Sequence, residues 1–281
     1  MAVVPIAEII GPACAAGRGV VAFNVIGIEH AEAIVAGAEA AAAPVVLQVS
    51  ENCVAYHGTL APIGEAVLAV ARASAVPAAV HLDHATSEDL VRDAVRMGFG
   101  SVMYDASRLA YADNVTATTS IAAWCHDRDA WVEAELGEIG GKDGVHKPGV
   151  RTRPGEAASF VEATGVDALA VAVGSSHAML TRDAVLDLEL IKAIHAEVPV
   201  PLVLHASSGV PDETIRAAIA AGLTKINIAT QLNKVFTAAV RACLAGEDII
   251  TDPRRYLSAG RAAIVGEVSR LLRVLEAGGY V

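Results

Sequence analysis

The chain has 281 residues, which is near the usual length of one (β/α)8 barrel and long for a simple open sheet. Its 21 basic and 32 acidic side chains give a formal net charge of -11, which argues against nucleic acid as a main partner. The four cysteines form no C-x-x-C pair, which excludes a zinc ribbon and predicts a reducing, cytoplasmic setting. No uncharged apolar stretch reaches ~18 residues, so we expect no membrane partner.

Short apolar runs alternate with segments of helical spacing along the whole chain. Continuous apolar runs of this length are typical of parallel strands that are covered on both faces. We therefore predict strands at 20–25, 44–50, 78–84, 101–105, 131–136, 168–174, 201–207 and 225–230.

Two of the intervening segments carry signals for helix ends. Ser87 is a predicted N-cap for a helix over 87–98. Pro211 takes the predicted first helical position of a helix over 211–222, because its missing N–H costs nothing there.

Eight strand signals in regular alternation with helices predict an α/β fold, a single (β/α)8 TIM barrel domain over 1–281. The segment from Asp252 onward predicts an extra amphipathic C-terminal helix. An open doubly wound sheet is the alternative, but no G-x-G-x-x-G follows the first strand. The connection over 138–156 is long and rich in Gly, Lys, Arg and His, which is uncommon unless a loop is functional.

Three histidines occupy matching positions on the predicted barrel. His84 ends the third strand, His177 follows the sixth, and His205 ends the seventh. Strand ends of this kind meet at one rim of a barrel. Three neutral imidazoles bind zinc and leave an open position for water or substrate. Each histidine alone fits a structural, hydrogen-bonded role, but their repetition at equivalent positions favours a metal site.

Carboxylates accompany these histidines. Asp83 stands beside His84 and is a candidate general acid or base, with orientation of an imidazole as its alternative role. Glu133 and Glu135 share one face of the fifth strand, and Asp105 ends the fourth. Asp105 and Glu135 are candidate oxygen ligands for a second or displaced metal, or else form salt bridges to neighbouring strands.

Small residues at the predicted strand ends indicate phosphate binding. ASSG at 206–209 follows the seventh strand, NIAT at 227–230 ends the eighth, and GSS at 174–176 follows the sixth. Barrels often bind phosphate through the loops after the last two strands. Backbone N–H groups and hydroxyls in such turns face an anion. Ordinary tight turns are the alternative for each motif alone.

Two other enzyme classes are disfavoured by specific positions. A Schiff-base aldolase needs a desolvated lysine near the barrel mouth, but the sixth strand contains none. Lys225 begins the eighth predicted strand, so we expect it at the opposite, N-terminal face. A zinc hydrolase on this fold commonly carries an H-x-H pair after the first strand, which here ends in FNV.

The motifs in their order resemble those of one family, the class II (zinc-dependent) ketose-bisphosphate aldolases. The resemblance covers nearly the whole chain. It rests on AFN at 22–24, QVS at 48–50, HLDH at 81–84, GFGSVMYDAS at 98–107, VEAELGEIGG at 132–141, AVAVGSSH at 170–177, LVLHASSG at 202–209 and KINIATQL at 225–232.

The resemblance implies a lyase that reversibly cleaves fructose 1,6-bisphosphate to dihydroxyacetone phosphate and an aldehyde phosphate through a zinc-stabilised enediolate. It implies Zn2+ on His84, His177 and His205, with Asp83 as acid/base and a monovalent cation, Na+ or K+, near the phosphate. It also implies a homodimer or homotetramer. Tagatose 1,6-bisphosphate, another ketose phosphate, and a non-catalytic sugar-phosphate binder are the alternatives. The expected substrate-binding residues are Asn24, Ser50, Gly174, Ser207, Ser208, Asn227 and Thr230.

Three positions depart from the family pattern. Ala178 and Ala206 stand where glycine usually follows the metal histidines. The loop reads GGKDG at 140–144, so the usual proton-abstracting glutamate is missing or replaced by Lys142. We interpret Asp143 as the substitute base.

Overall fold

A closed parallel barrel confirms the predicted fold. The computed structural model describes residues 3–136, 151–175, 181–246 and 249–275. Within them the strands pair in chain order, and the last pairs with the first. The strands are β1 (Val20–Asn24), β2 (Val45–Ser50), β3 (Ala78–Ala85), β4 (Ser101–Tyr104), β5 (Trp131–Leu136), β6 (Ala168–Val171), β7 (Leu202–Leu204) and β8 (Leu223–Ile228).

Helices cover the outside of the barrel, as the alternating pattern predicts. Because strands are then covered on both faces, their aliphatic residues are buried almost throughout. The helices are α1 (Ala7–Ala15), α2 (Ile28–Ala41), α3 (Glu51–His57), α4 (Leu60–Ala73), α5 (Glu88–Met97), α6 (Tyr111–His126), α7 (Pro154–Thr164), α8 (Leu188–Glu197), α9 (Asp212–Ala220), α10 (Thr230–Gly246) and α11 (Pro253–Val274).

The predicted element ends shift by a few residues, each for a local reason. Ser87 does cap α5, accepting from the backbone N–H of Leu90 at 3.3 Å. Pro211, predicted as the first helical residue, is instead the N-cap of α9, because its ψ of 148° is extended. β7 stops at Leu204, shortly before Ala206 turns the chain with a φ of 56°.

The N-terminal end of the barrel is closed by an apolar layer. Ile6, Ile9 and Ile10, at the start of α1, pack against Val20 and Val46 from the barrel interior. All five side chains are at most 1% exposed. The bottom of the interior is therefore filled by apolar side chains. Polar side chains of the interior, such as Lys225 and Glu133, lie above it, towards the carboxyl ends of the strands.

The C-terminal segment forms the predicted extra helix, α11, which packs against α2 and α10. Asp252 caps it, accepting from the backbone N–H of Arg254 at 3.0 Å. The contact with α2 depends on Gly37, where a Cβ would lie 2.7 Å from Cβ of Val268. Across the described residues, a single helix of membrane-spanning length and apolarity is not found, although α3 and α4 together, bent by 114°, pass the same test.

An ionic network joins α11 to α9. Asp212, at the start of α9, accepts hydrogen bonds from Arg182 and Arg270, and Arg270 also pairs with Glu267. Burial opposes the charge on Asp212, but the hydrogen bonds from the two guanidinium groups outweigh it and lower the pKa of this carboxyl.

Candidate active site

Four predicted metal-site residues meet at the C-terminal rim of the barrel. Nδ1 of His84 lies 3.0 Å from a carboxylate oxygen of Asp105 and 3.9 Å from one of Glu135. The rings of His84 and His205 are 4.5 Å apart between centroids. Ligand atoms of His84, Asp105 and Glu135 all lie within 4.8 Å of one another, as do those of His84, Asp83 and His205. Two further predicted residues, the metal ligand His177 and the base Asp143, lie outside the described residues.

The backbone of β3 aims His84 into this cluster. His84 has a φ of 51°, a conformation that residues other than glycine rarely adopt. The pairing of β3 with β4 shifts register between Leu82 and Ala85, as a β-bulge does. Strained backbone of this kind persists where the surrounding structure holds it, and it is concentrated at functional sites. His84 is also the most exposed of the four rim residues, at 18%.

His205 lies between two buried carboxylates. Its Nε2 is 2.8 Å from Oε1 of Glu133, and its Nδ1 is 3.2 Å from Oε2 of Glu135. Burial opposes a charge on the ring, but the hydrogen bonds to both glutamates outweigh it and raise the pKa of His205 to about 9. A cation that binds at Nδ1 would displace a proton from this ring.

Asp83, on β3, is held from across the barrel interior by two asparagines, one on β1 and one on β8. Asn24 donates to one carboxylate oxygen at 2.9 Å, and Asn227 donates to the other at 3.4 Å. Gln48, which begins the QVS motif but was assigned no role from the sequence, donates to the side-chain oxygen of Asn24 at 2.7 Å and so orients it. Burial opposes ionisation of Asp83, but the nearby charges of His84 and the other cationic groups lower its pKa to about 2.

The predicted phosphate residues lie in turns around the same rim. Ser208 accepts from the backbone N–H groups of Ala229 and Gln231, each at 3.3 Å, at the start of α10. Thr230 opens α10 rather than ending β8 as predicted, because β8 stops at Ile228. The N-terminus of a helix favours an anion, since its first N–H groups lack partners within the helix.

Three further residues that were predicted to bind substrate have structural roles in the turns at the strand ends. Ser207 donates to the backbone oxygen of Asn227, which ties the turn after β7 to β8. Ser50 caps α3, accepting from the backbone N–H of Cys53 at 3.2 Å. Gly174 has a φ of 125°, and a Cβ there would lie 2.4 Å from the backbone oxygen of Val185. Only glycine fits that position without movement of the backbone.

Lys225 is not at the N-terminal face, and that prediction is wrong. β8 begins at Leu223, so Lys225 is its third residue, and its side chain lies in the barrel interior with no exposed surface. Its Nζ is 2.9 Å from Oε2 of Glu133. His81, also fully buried, shares this layer, where burial and the charge of Lys225 lower its pKa to about 3. Apart from the inward face of Glu133, no local pattern in the sequence predicts this pairing.

The long connection returns to the barrel at Thr152. The hydroxyl of Thr152 accepts from the backbone N–H of Ala172 at 2.8 Å, just after β6. The helix α7 then begins at Pro154, so the last three residues assigned to this loop, 154–156, are helical. Proline suits the first turn of a helix, which explains the earlier start.

Imidazole nitrogens and carboxylate oxygens within coordinating distance suit a divalent transition metal. Fold and site together define a (β/α)8 barrel with a group of residues at its C-terminal rim that could hold a metal ion. A family model described as "Fructose-bisphosphate aldolase class-II" matches residues 4–280. The chain therefore belongs to the class II fructose-bisphosphate aldolase family and is a lyase. This family is generally metal-dependent, and it acts on phosphorylated sugars.

Solved structures of aldolases are similar to this chain over nearly its full length. The YdjI aldolase from Escherichia coli K12 is 29% identical, with a TM-score of 0.87 and 99% of both chains covered. A putative fructose-1,6-biphosphate aldolase from Coccidioides immitis is 27% identical, with a TM-score of 0.88 and 98% and 97% coverage. Fructose-bisphosphate aldolase from Campylobacter jejuni, at 21% identity, TM-score 0.82 and 98% and 96% coverage, supports the fold alone.

Proposed function

We propose that this aldolase is zinc-dependent and reversibly cleaves fructose 1,6-bisphosphate to dihydroxyacetone phosphate and an aldehyde phosphate. The observation that carries the proposal is the convergence of His84, His205, Asp105 and Glu135 at one rim, although they come from four different strand ends. That rim is where barrel enzymes build their active sites.

The proposed zinc ligands are His84, His177 and His205. Asp105 and Glu135 are proposed ligands for a second or displaced metal, supported by their contacts with the two described histidines. When bound, the cation supplies Lewis-acid chemistry, polarising a substrate carbonyl and stabilising negative charge.

Asp83 is the proposed acid/base for the C–C cleavage step. Its low pKa keeps it ionised, and the two asparagine amides hold its oxygens in place. In cleavage it takes the proton from the hydroxyl on the carbon that becomes the aldehyde. The C–C bond breaks, and its electron pair passes to the carbon of the ketone fragment. A proton is then added to that carbon of the ketone fragment. In synthesis the same carboxyl group returns the proton to the new hydroxyl.

Asp143 is the proposed partner for that second proton, because the usual loop glutamate is absent from GGKDG. Asp143→Ala is expected to slow exchange of the carbon-bound proton of dihydroxyacetone phosphate with solvent. Proton exchange in deuterated water, followed by NMR, measures this step without the cleavage reaction. An unchanged exchange rate would remove Asp143 from the mechanism.

The phosphate of the three-carbon fragment is proposed to bind at the turns after β6, β7 and β8. Support comes from the start of α10 and from the close backbone approach at Gly174. A monovalent cation, Na+ or K+, is proposed beside this phosphate. The residues assigned to substrate are Asn24, Ser50, Gly174, Ser207, Ser208, Asn227 and Thr230.

Chelation distinguishes the metal-dependent mechanism from a Schiff-base mechanism. Incubation with a strong chelator is expected to abolish cleavage, and added Zn2+ is expected to restore it. Borohydride added with substrate is expected to leave no covalent adduct. Activity that survives chelation but is trapped by borohydride would show a Schiff-base mechanism instead.

The sugar is tested by a panel in the synthetic direction. Dihydroxyacetone phosphate is supplied with several aldehydes, glyceraldehyde 3-phosphate among them, and the stereochemistry of each product is determined. Fructose 1,6-bisphosphate as the preferred product supports the proposal, whereas the tagatose isomer or another ketose phosphate reassigns the substrate. Binding without any turnover would favour a non-catalytic sugar-phosphate binder.

A second copy of this chain is the proposed protein partner, as a homodimer or homotetramer in a reducing cytoplasmic setting. All four cysteines are free, which fits that setting. Sedimentation equilibrium at several protein concentrations tests the assembly, and a monomer at every concentration would contradict it.

A further inference from the structure

A charged layer lies directly beneath the rim cluster, inside the barrel. Lys225, Glu133 and His81 are each fully buried there. Barrel interiors are usually filled by branched aliphatic side chains. A buried charge is costly unless it is paired and hydrogen-bonded, so a lysine and a glutamate at this depth call for a specific role.

The contacts run in one line from the layer to the rim. Nζ of Lys225 is 2.9 Å from Oε2 of Glu133, and Oε1 of the same carboxylate is 2.8 Å from Nε2 of His205. Lys225 is on β8 and Glu133 on β5, strands that do not neighbour each other in the barrel. The bridge therefore crosses the interior. Each carboxylate oxygen of Glu133 has one hydrogen-bond partner, and Oε2 also lies 3.9 Å from Nε2 of His81.

This arrangement determines which nitrogen of His205 faces the rim. Glu133 occupies Nε2, which leaves Nδ1, 3.2 Å from Oε2 of Glu135, on the side of the rim carboxylates. Ligand atoms of His205, His84 and Asp83, one from each residue, lie within 4.8 Å of one another. Histidines that ligate metals commonly donate their other ring N–H to a carboxylate, which selects the tautomer and the ring orientation. Lys225 holds that carboxylate from below and neutralises its charge.

We propose that Lys225 and Glu133 form a buried positioning pair that presents Nδ1 of His205 to the metal ion. This inference rests on the metal site of the proposed function. Neither residue touches substrate, and Lys225 is paired to Glu133 rather than free to attack a carbonyl. The pair acts only through His205.

Three variants test the effect of the Lys225–Glu133 pair on zinc binding. Glu133→Gln keeps the shape of the side chain and removes its charge, and Lys225→Met removes the ammonium group. The double variant removes both charges, so it leaves no unpaired charge in the interior and guards against a single variant that fails to fold. Lys192→Met is the matched control, since Lys192 pairs with Glu189 at 2.7 Å on the surface, with 58% and 83% of the two side chains exposed.

The measurement is the Zn2+ dissociation constant of the metal-free protein, by competition with a chromophoric chelator, beside the Tm of the metal-free forms. Each single variant is expected to bind Zn2+ about 10–100-fold more weakly, the effect typical of removing such a partner. The double variant is expected to match Glu133→Gln, because effects that pass through one contact are not additive. Lys192→Met is expected to bind as the wild type does.

A second measurement follows the tautomer of the His205 ring. In the zinc-loaded wild type, NMR of the imidazole nitrogens is expected to show His205 protonated at Nε2, and in Glu133→Gln a loss of that single tautomer. Wild-type zinc affinity in the variants, with only Tm lowered, would make the pair purely structural and overturn this inference while the metal site stands. A wild type that binds no Zn2+ at all would remove the metal centre of the proposed function and this inference with it.

Discussion

Gly174 offers a sharp test of how the turn after β6 is built. Its φ of 125° is one that side-chain-bearing residues rarely adopt, and a Cβ would lie 2.4 Å from the backbone oxygen of Val185 and 3.4 Å from Cα of Leu186. Both neighbours are backbone atoms, so a rotamer change cannot relieve the contact. Gly174→Ala must therefore move the chain near the proposed phosphate turn.

The expected cost has two parts. A non-glycine residue in a disfavoured conformation costs ~1–3 kcal/mol, and overpacking adds ~1–3 kcal/mol. Gly165→Ala is the matched control, because Gly165 has a φ of 67° but no atom within 4 Å of the added methyl. The loss of stability in Gly165→Ala therefore contains the conformational cost and no cost of overpacking.

Urea unfolding measures the free energy of unfolding of both variants, and steady-state kinetics measure KM for the proposed substrate, fructose 1,6-bisphosphate. If the turn donates to the phosphate as proposed, losing one hydrogen bond to that charged group costs ~1.5–3 kcal/mol. KM is then expected to rise ~10–150-fold in Gly174→Ala and to stay unchanged in Gly165→Ala. Equal losses of stability in the two variants, with KM unchanged in both, would refute the reasoning.

Three other predictions concern the acid/base, the helix contact and the ionic network. Asp83→Ala is expected to lower turnover ~10²–10⁴-fold while zinc content stays constant; loss of zinc in parallel would move Asp83 to the metal site. Gly37→Ala is expected to destabilise by ~1–3 kcal/mol through overpacking, whereas Gly266→Ala, with open space around it, gains up to ~1 kcal/mol of helix propensity; equal effects in urea would contradict the close contact. The lowered pKa of Asp212 means that its stabilisation is present above its unfolded pKa of ~3.9 and is lost as pH falls through the lower folded value. Asp212→Asn is expected to lower stability at neutral pH and to flatten its acid dependence, and an unchanged acid-unfolding curve would count against it.

The barrel could be predicted from local pattern, because its strands and helices leave local signals. The run WVEAEL at 131–136 is a strand with the predicted bounds, and Ser87 caps α5 as predicted. The predicted strands over 168–174 and 201–207 were too long, because backbone turns at Gly174 and Ala206 end the pairing early. Apolarity continues through those turns, so composition alone does not mark where a strand ends.

The rim cluster was partly predictable for a different reason. Parallel strands in a barrel all point their carboxyl ends to one rim, so residues at equivalent strand ends must approach each other. That rule placed His84, His205, Asp105 and Glu135 together. It gave no information on which atoms pair, and it missed Gln48, whose amide orients Asn24.

By itself, the sequence determined the periodicity, the number of strands and the residues that stand at their carboxyl ends, because these are properties of neighbours along the chain. Only the tertiary structure decided the pairings across the interior, such as Lys225 with Glu133, 92 residues apart, and Asn24 with Asp83, 59 residues apart. A hydrogen bond forms or fails within a few tenths of an ångström. Distances of that size depend on the tilt and register of strands that meet only when the barrel closes.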